Sequence, residues 1–318
     1  MYKVLFVCSG NKSDGMGPVV ANQAQSLIDA GTQLDYFLVK GNGFSGYLKN
    51  IPKLLKTINR GKYDIIHAHG ISALLTTLTF KKPLVVSLLG SELNESKVIK
   101  FLNHFLACYY WSHTIVKSND MALKLNCGNS KKQSIIPNGV NLLTYYSADQ
   151  LEARSVLKFD KQEHKIILWL ADPDRKSKNF ALAQQALSYM KMENLNLLQA
   201  HNIPKDRVPY YINAADVVLL TSLWEGSPNI IKEAMACNRP IVSTNVGDVK
   251  WLFGNLPGHY ITSFDPIDVS EKINLALQFS EINSSTNGRK RIIDLGLDSE
   301  SIVKKITYIY KTIIESAN

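Results

Sequence analysis

The chain has 318 residues, 45% of them hydrophobic, and a formal net charge of +9; that is enough for two domains with separate cores, and no apolar run nears the roughly 20 residues that cross a bilayer. Residues 1–148 hold all of the excess charge, 16 Lys+Arg against 7 Asp+Glu, while residues 149–318 hold 20 against 20, so an anionic partner is expected for the first half. Cys8, Cys108, Cys127 and Cys237 lack the spacing of a zinc site or the density of a disulfide scaffold, and residues 1–8 are too short and strand-like for a signal peptide, which together point to the reducing cytoplasm.

Residues 3–8 read as a strand and residues 18–30 as a helix, with Pro18 at its start and Gly31 just past its end. Strands follow at 34–39, 65–68 and 84–88, and a helix at 98–111. This alternation predicts an α/β protein with a doubly wound parallel sheet. After Ile136-Pro137-Asn138-Gly139 a polar stretch without periodicity, 141–164, separates two domains. The pattern then restarts with strands at 165–170, 195–199, 217–220 and 241–243, helices at 179–190, 228–237 and 268–279, and a last helix at 299–315.

The strand at 217–220 leads through Glu225 to Ser227-Pro228, an N-cap followed by proline at the first helical position. The helix that starts there aims free backbone N–H groups and the positive end of its dipole at whatever lies beyond the strand, and phosphate is the natural occupant. Glu233, more than one turn inside, suits two hydrogen bonds from a vicinal diol such as ribose, while Glu225 stands on the loop beside the anion. On composition alone the pair reads equally well as a solvated helix residue and a loop residue favoured by the dipole.

Glu225 and Glu233, with seven residues between them, precede Ala234-Met235-Ala236, Pro240-Ile241-Val242 and Gly247-Asp248-Val249. This succession resembles the donor-binding segment of family 4 retaining glycosyltransferases, the "glycosyl transferases group 1". Asp64-Ile65-Ile66-His67-Ala68-His69-Gly70 resembles that family's histidine segment, residues 87–92 its strand ending in Gly-Ser-Asp, and Ile136-Pro137-Asn138-Gly139-Val140 its crossing into the second domain. The resemblance runs from about residue 3 to residue 316. It implies a GT-B fold: two Rossmann-like doubly wound domains with an interdomain cleft and a C-terminal helix crossing back. Residues 1–145 would then form the acceptor-side domain, 146–298 the donor-binding domain, and 299–318 the helix packing back on the first. The implied activity is retaining, metal-independent transfer of a sugar from a nucleoside diphosphate donor, with no other cofactor. The acceptor would be a glycan or lipid-linked molecule at the inner face of the cytoplasmic membrane, in polysaccharide, lipopolysaccharide or glycolipid synthesis for the cell envelope. By the same resemblance Glu233 would hold the ribose and Glu225 the donor sugar, with Gly226, Ser227, Asn229 and Ile230 lining the donor at the helix start.

Departure of a diphosphate without a metal calls for cations and aimed N–H groups. Arg175 and Lys178, just after the strand ending at Leu170, are the natural clamp. The family's arginine follows a glycine at the strand end; here Ala171-Asp172 stands in its place, so Lys178 is the firmer assignment and Arg175 a relocated partner. Asp172-x-Asp174 also matches a metal-diphosphate motif of another glycosyltransferase architecture, one opposed here by three adjacent cations and by the two-domain organisation. Gly15 and Gly17, in the turn before a helix, allow close approach of a phosphate or sugar, and the family uses such a glycine loop to close the donor site. His67 and His69 alternate along one strand and are read as facing opposite sides of the sheet, with His69, nearer the strand's end, facing the donor sugar and Glu92 a weaker candidate beside it. Residues 4–11 resemble the opening of low-molecular-weight protein tyrosine phosphatases, but Asp14 occupies the place of the required arginine, so Cys8 is read as a buried strand residue.

Lys49, Lys53, Lys56 and Arg60 recur as one cationic helix face opposite Leu48, Ile51, Leu55 and Ile58, with Pro52 shortening the helix. Such a face is either solvated surface or a contact with an anionic membrane. Two rival readings stand beside the transferase: a non-catalytic sugar-nucleotide-binding subunit, favoured by the displaced arginine, and a nucleic-acid binder, favoured by charge alone. The absence of a basic-aromatic recognition module speaks against nucleic acid as a partner.

Overall fold

The computed structural model describes residues 2–11, 15–41, 43–94, 97–128, 130–159, 164–192 and 194–317. Two compact units emerge, one of Met1–Gly139 with Ser299–Asn318, the other of Val140–Asp298.

In the first unit β1 (Lys3–Ser9), β2 (Gln33–Val39), β3 (Ile65–His69), β4 (Leu84–Ser87), β5 (His113–Val116) and β6 (Gln133–Ile135) alternate with α1 (Pro18–Asp29), α2 (Gly43–Leu48), α3 (Ile51–Gly61), α4 (Ser72–Thr77), α5 (Ser91–Asn94), α6 (Lys97–Tyr109) and α7 (Asn119–Leu125). The sheet runs β2-β1-β3-β4-β5-β6 and its pairings are parallel. A parallel sheet is covered on both faces, so its strands are continuous apolar runs; Val4 through Cys8 of β1 are all buried. Trp111 fills the core between sheet and helices, donating its indole N–H to Thr77 Oγ1 at 2.9 Å.

The second unit comprises α8 (Gln150–Val156), β7 (Lys165–Leu170), α9 (Phe180–Ser188), β8 (Leu195–Ala200), α10 (Val208–Ala214), β9 (Val217–Leu220), α11 (Asn229–Ala236), β10 (Ile241–Thr244), α12 (Val249–Phe253), β11 (His259–Thr262), α13 (Pro266–Ile282) and α14 (Gly288–Asp294). Its sheet is also parallel, in the order β11-β10-β9-β7-β8. Each sheet has a switch point where neighbouring strands connect outward in opposite directions: β1 beside β3 in the first, β7 beside β9 in the second. Open α/β sheets bind ligands beyond the carboxyl ends of such a pair.

The last helix, α15 (Ser299–Ala317), belongs to the first unit, where the Tyr310 hydroxyl lies 2.6 Å from His67 Nδ1. Three local expectations are corrected. The stretch 141–164 contains α8, started by Asp149, whose carboxylate accepts the Glu152 N–H at 2.9 Å; Asp-x-x-Glu was a legible helix start. Lys49 sits in the turn before the Asn50 cap, off the helix that carries Lys53, Lys56 and Arg60, and Pro52 opens that helix instead of shortening it. Cys108, on α6, and Cys127, past α7, are joined in a disulfide with Cα atoms 5.4 Å apart, although their spacing gave no sign of pairing.

Candidate active site

Two loops meet beyond β7 and β9. After β7 the chain turns through 171–179, where Asp172 Oδ1 accepts the Asp174 N–H at 3.1 Å and Lys178 ends a single 3-10 turn. After β9 it runs through 221–228 into α11. Thr221 binds the two loops: its hydroxyl lies 3.0 Å from the carbonyls of both Lys178 and Asn179 and accepts Trp169 Nε1–H at 2.9 Å. The Leu223 N–H donates to Ser177 O at 2.8 Å. So held, Lys178 Nζ donates to Glu225 Oε1 at 2.5 Å, and the same oxygen accepts the Ser222 hydroxyl at 2.8 Å. The Lys178 and Glu225 side chains are only 18% and 15% exposed, so water screens their attraction weakly. Arg175 stands exposed on the same turn and, among the described residues, makes no ion pair.

Helix α11 begins at Asn229 with Pro228 at its cap, one residue later than the sequence reading. Ser227 does not cap it: its hydroxyl instead accepts a hydrogen bond from the buried Lys232 Nζ at 2.8 Å. The cap residue Pro228 makes no side-chain hydrogen bond to the first turn, and a helix start with its N–H groups aimed beyond the strand suits an anion. Burial brings the Lys232 ammonium down to about 8, against the attraction of Asp248 and Glu233. Asp248, after β10, is buried beside Ser227 and the Lys232 charge, and its burial raises its carboxyl above the ordinary value. Beside it Gly247 adopts φ +58, and a Cβ there would come within 2.6 Å of Gly226 O; only glycine lets this loop close on the Glu225-Gly226 backbone.

Glu233 is part-buried on α11 and accepts a hydrogen bond from the Tyr145 hydroxyl. Burial pushes its carboxyl up to about 7, more than the hydrogen bond and the Lys232 charge pull it down. Tyr145 was missed because it lies in the stretch read as patternless. Arg289 positions it, donating to Tyr145 O at 2.7 Å and to Leu142 O at 2.9 Å. Glu225, Lys178, Gly226, Ser227, Asn229, Ile230 and Glu233 thus share one end of the second sheet, with Ser222, Lys232, Asp248 and Tyr145 added by the fold.

In the first unit the switch point lies between β1 and β3. Gly15 adopts φ +79, a conformation glycine tolerates. Gly17 precedes α1 with an extended backbone that makes no such demand. His67 and His69 lie on one face of β3, their rings stacked at 4.2 Å; residues two apart on a strand point the same way, so the reading of opposite faces was wrong. His67 is satisfied, with Nδ1 at Tyr310 and Nε2 2.9 Å from Ser87 Oγ. His69, nearer the strand's end, is buried with neither ring nitrogen hydrogen-bonded among the described residues, and burial followed by the Lys117 charge lowers it to about 3. It is a neutral imidazole. Glu92 Oε2 accepts the N–H groups of Leu89 and Gly90 at 3.1 and 2.9 Å, a turn-building role. Burial pushes the Cys8 thiol up to about 11, the opposite of a phosphatase nucleophile; Asp14 lies outside the described residues.

Residues 144–293 match the family described as Glycosyl transferases group 1, and residues 19–142 match Glycosyltransferase Family 4. The chain belongs to the family 4 glycosyltransferases. It is 24% identical to the UDP-Gal:alpha-D-GlcNAc-diphosphoundecaprenol alpha-1,3-galactosyltransferase of Escherichia coli over 314 residues, covering 83% of this chain and 79% of that one. Among solved structures it is similar to sucrose-phosphate synthase from Thermosynechococcus elongatus, with TM-score 0.84, 16% identity and coverage of 99% and 100%. It is also similar to Anabaena HepE in complex with UDP and glucose, with TM-score 0.76, 17% identity and coverage of 98% and 100%. The glycosyltransferase therefore has the two-domain, Rossmann-like GT-B fold and uses a nucleotide-sugar donor.

Proposed function

We propose that this glycosyltransferase moves a sugar from a uridine diphosphate donor to a lipid-linked or glycan acceptor with retention of configuration, without a metal, in cell-envelope glycan synthesis. The carrying observation is the Lys178–Glu225 pair beside the start of α11. In this reading the diphosphate takes the place of Glu225 as the partner of Lys178, assisted by the α11 N–H groups and by the exposed Arg175. Glu225, released, accepts hydrogen bonds from hydroxyls of the donor sugar. Glu233, with Tyr145 on one side, receives the ribose diol. Cations and N–H groups aimed at a leaving phosphate gain strength as its charge grows, which lowers the barrier more than it tightens ground-state binding. No side chain in this cluster is poised as a covalent nucleophile, so the leaving phosphate itself takes the proton of the incoming hydroxyl on the same face. Uridine is chosen because the E. coli relative's name specifies UDP-Gal, and its diphosphoundecaprenol acceptor motivates the lipid-linked class.

The test is a thermal-shift screen of nucleoside diphosphates and their sugars, followed by donor turnover with and without EDTA and by NMR of the product anomer. Native-state ligands raise the melting temperature, and UDP is expected to lead the screen. Loss of turnover in EDTA, restored by magnesium or manganese, would favour the Asp172/Asp174 metal reading; an inverted anomer would end the claim of retention.

A further inference from the structure

Lys232 is the fourth residue of α11 and is 1% exposed. That place disfavours an ammonium twice, since burial removes it from water and the positive end of the helix dipole repels it. An apolar side chain of similar length would carry neither cost, and Ile231, Ala234 and Met235 beside it are buried members of the core. The charge is compensated by groups from three segments. Nζ donates to Ser227 Oγ at 2.8 Å on the loop after β9. Asp248, on the loop after β10, supplies the largest attraction, and Glu233 on α11 itself the next. Asp248 stands at the cap position of α12 yet makes no side-chain cap hydrogen bond, so an aspartate with capping chemistry serves the ammonium instead.

The two loops that meet Lys232 also frame the start of α11. Thr244 Oγ1, at the end of β10, donates to Ser222 O at 2.7 Å. Gly247 lies so close to Gly226 that a Cβ on it would come within 2.6 Å of the Gly226 carbonyl oxygen. Lys232 joins both loops to the helix that follows. We propose that Lys232 is a positioning residue for the donor: its buried ammonium clamps Ser227 and Asp248, so that residues 225–227, residues 247–248 and the start of α11 hold one geometry for the diphosphate and the ribose. This rests on the donor reading above and gives the lysine no contact with the reacting atoms.

The clamp works while its ammonium is charged, and that gives it a signature. Burial brings Lys232 to about 8, so the clamp loosens as pH passes that value. Glu233, brought to about 7, faces Lys232, the Tyr145 hydroxyl from the segment before α8, and Cys237 one turn further along α11. Asp248 faces Lys232, Ser227 and Glu225. A terminal phosphate completes its ionisation near about pH 6 and adds only to the rise. Donor affinity therefore rises as Glu233 ionises, peaks between about 7 and 8, and falls as Lys232 loses its proton.

The full-length protein is titrated with UDP by calorimetry across the pH range that spans both groups. Wild type is expected to lose affinity on the alkaline side with a slope approaching about tenfold per pH unit, that of one coupled proton. Lys232→Met should weaken binding on the order of tenfold at the wild-type optimum and abolish the alkaline fall. It should also move the rise upward, because the charge that lowers Glu233 is gone. Lys232→Arg keeps a charge that does not titrate in this range, so it should bind without the alkaline fall. Asp248→Asn removes the attraction that raises Lys232 and should move the fall to lower pH. In steady-state kinetics the loss in Lys232→Met should appear in KM more than in kcat, the reverse of the split expected for a group that acts on the leaving phosphate. Melting temperatures report the folding of each variant. Wild type with no alkaline fall, a folded Lys232→Met protein that keeps it, or an Asp248→Asn protein whose fall stays in place overturns the proposal. Wild type that binds no UDP at any pH sinks the donor reading itself, and the proposal falls with it.

Discussion

Lys178 Nζ and Glu225 Oε1 are joined at 2.5 Å across two loops that are far apart in sequence, and Ser222 shares the same oxygen. The pair neutralises a cation and a carboxylate in a part-buried place, and in the proposed reading a donor would engage both groups.

Lys178→Ala is therefore expected to lower kcat on the order of 100-fold or more, with a much smaller loss of UDP affinity, because the lysine acts chiefly on charge that develops as the bond breaks. Steady-state kinetics beside calorimetric titration separate the two effects. Equal losses in both would make Lys178 a ground-state ligand only.

Glu233 makes the site pH-sensitive. Its folded value of about 7 lies above the ordinary 4.5, so between these the folded protein binds more protons than the unfolded chain, and this group's contribution to stability falls as pH rises through that window. Glu233→Gln should flatten that part of the stability profile. Because a ribose diol donates to the ionised carboxylate, UDP affinity should rise through pH 7 and binding should release a proton. Calorimetry in buffers of different ionisation heat measures that release; zero proton exchange near pH 7 would remove Glu233 from the ribose site.

Tyr145→Phe removes a hydrogen bond that lowers Glu233. The pH midpoint of UDP binding should move upward, with a loss of about 1 kcal/mol in affinity at neutral pH. A variant with an unchanged midpoint would show Tyr145 to be packing alone.

Away from the site, Arg154 and Asp216 form an ion pair at 2.7 Å with both side chains almost wholly buried. Asp216 also accepts the Ile166 N–H at 2.6 Å, tying α8 to the start of β7. Asp216→Ala should cost about 3–5 kcal/mol in urea unfolding, since it strands a buried guanidinium. Replacing both partners with apolar residues should cost less.

Much of this was legible along the chain. β7, β9 and α11 fall within a residue or two of their expected places because apolar runs, proline and helix starts are local signals. The histidines were misassigned by the strand period, since residues 67 and 69 share a face. Ser227 has the chemistry of an N-cap, but a buried lysine one turn further on took its hydroxyl. Tyr145 stands in a segment without periodicity, and nothing in its neighbours announces that the fold turns it onto a glutamate distant in the chain.

Sequence by itself determined the two sheets, a helix start suited to an anion, and which carboxylates and cations are available there, because burial on both faces demands apolar strands and because end-of-strand chemistry is written in a few adjacent residues. Only the tertiary structure decided which of those groups meet. Lys178 pairs with Glu225 rather than Arg175 doing so, and the buried Lys232 takes the Ser227 hydroxyl, since both outcomes depend on how separate elements pack, and a side chain's partner, burial and charge state are properties of that packing.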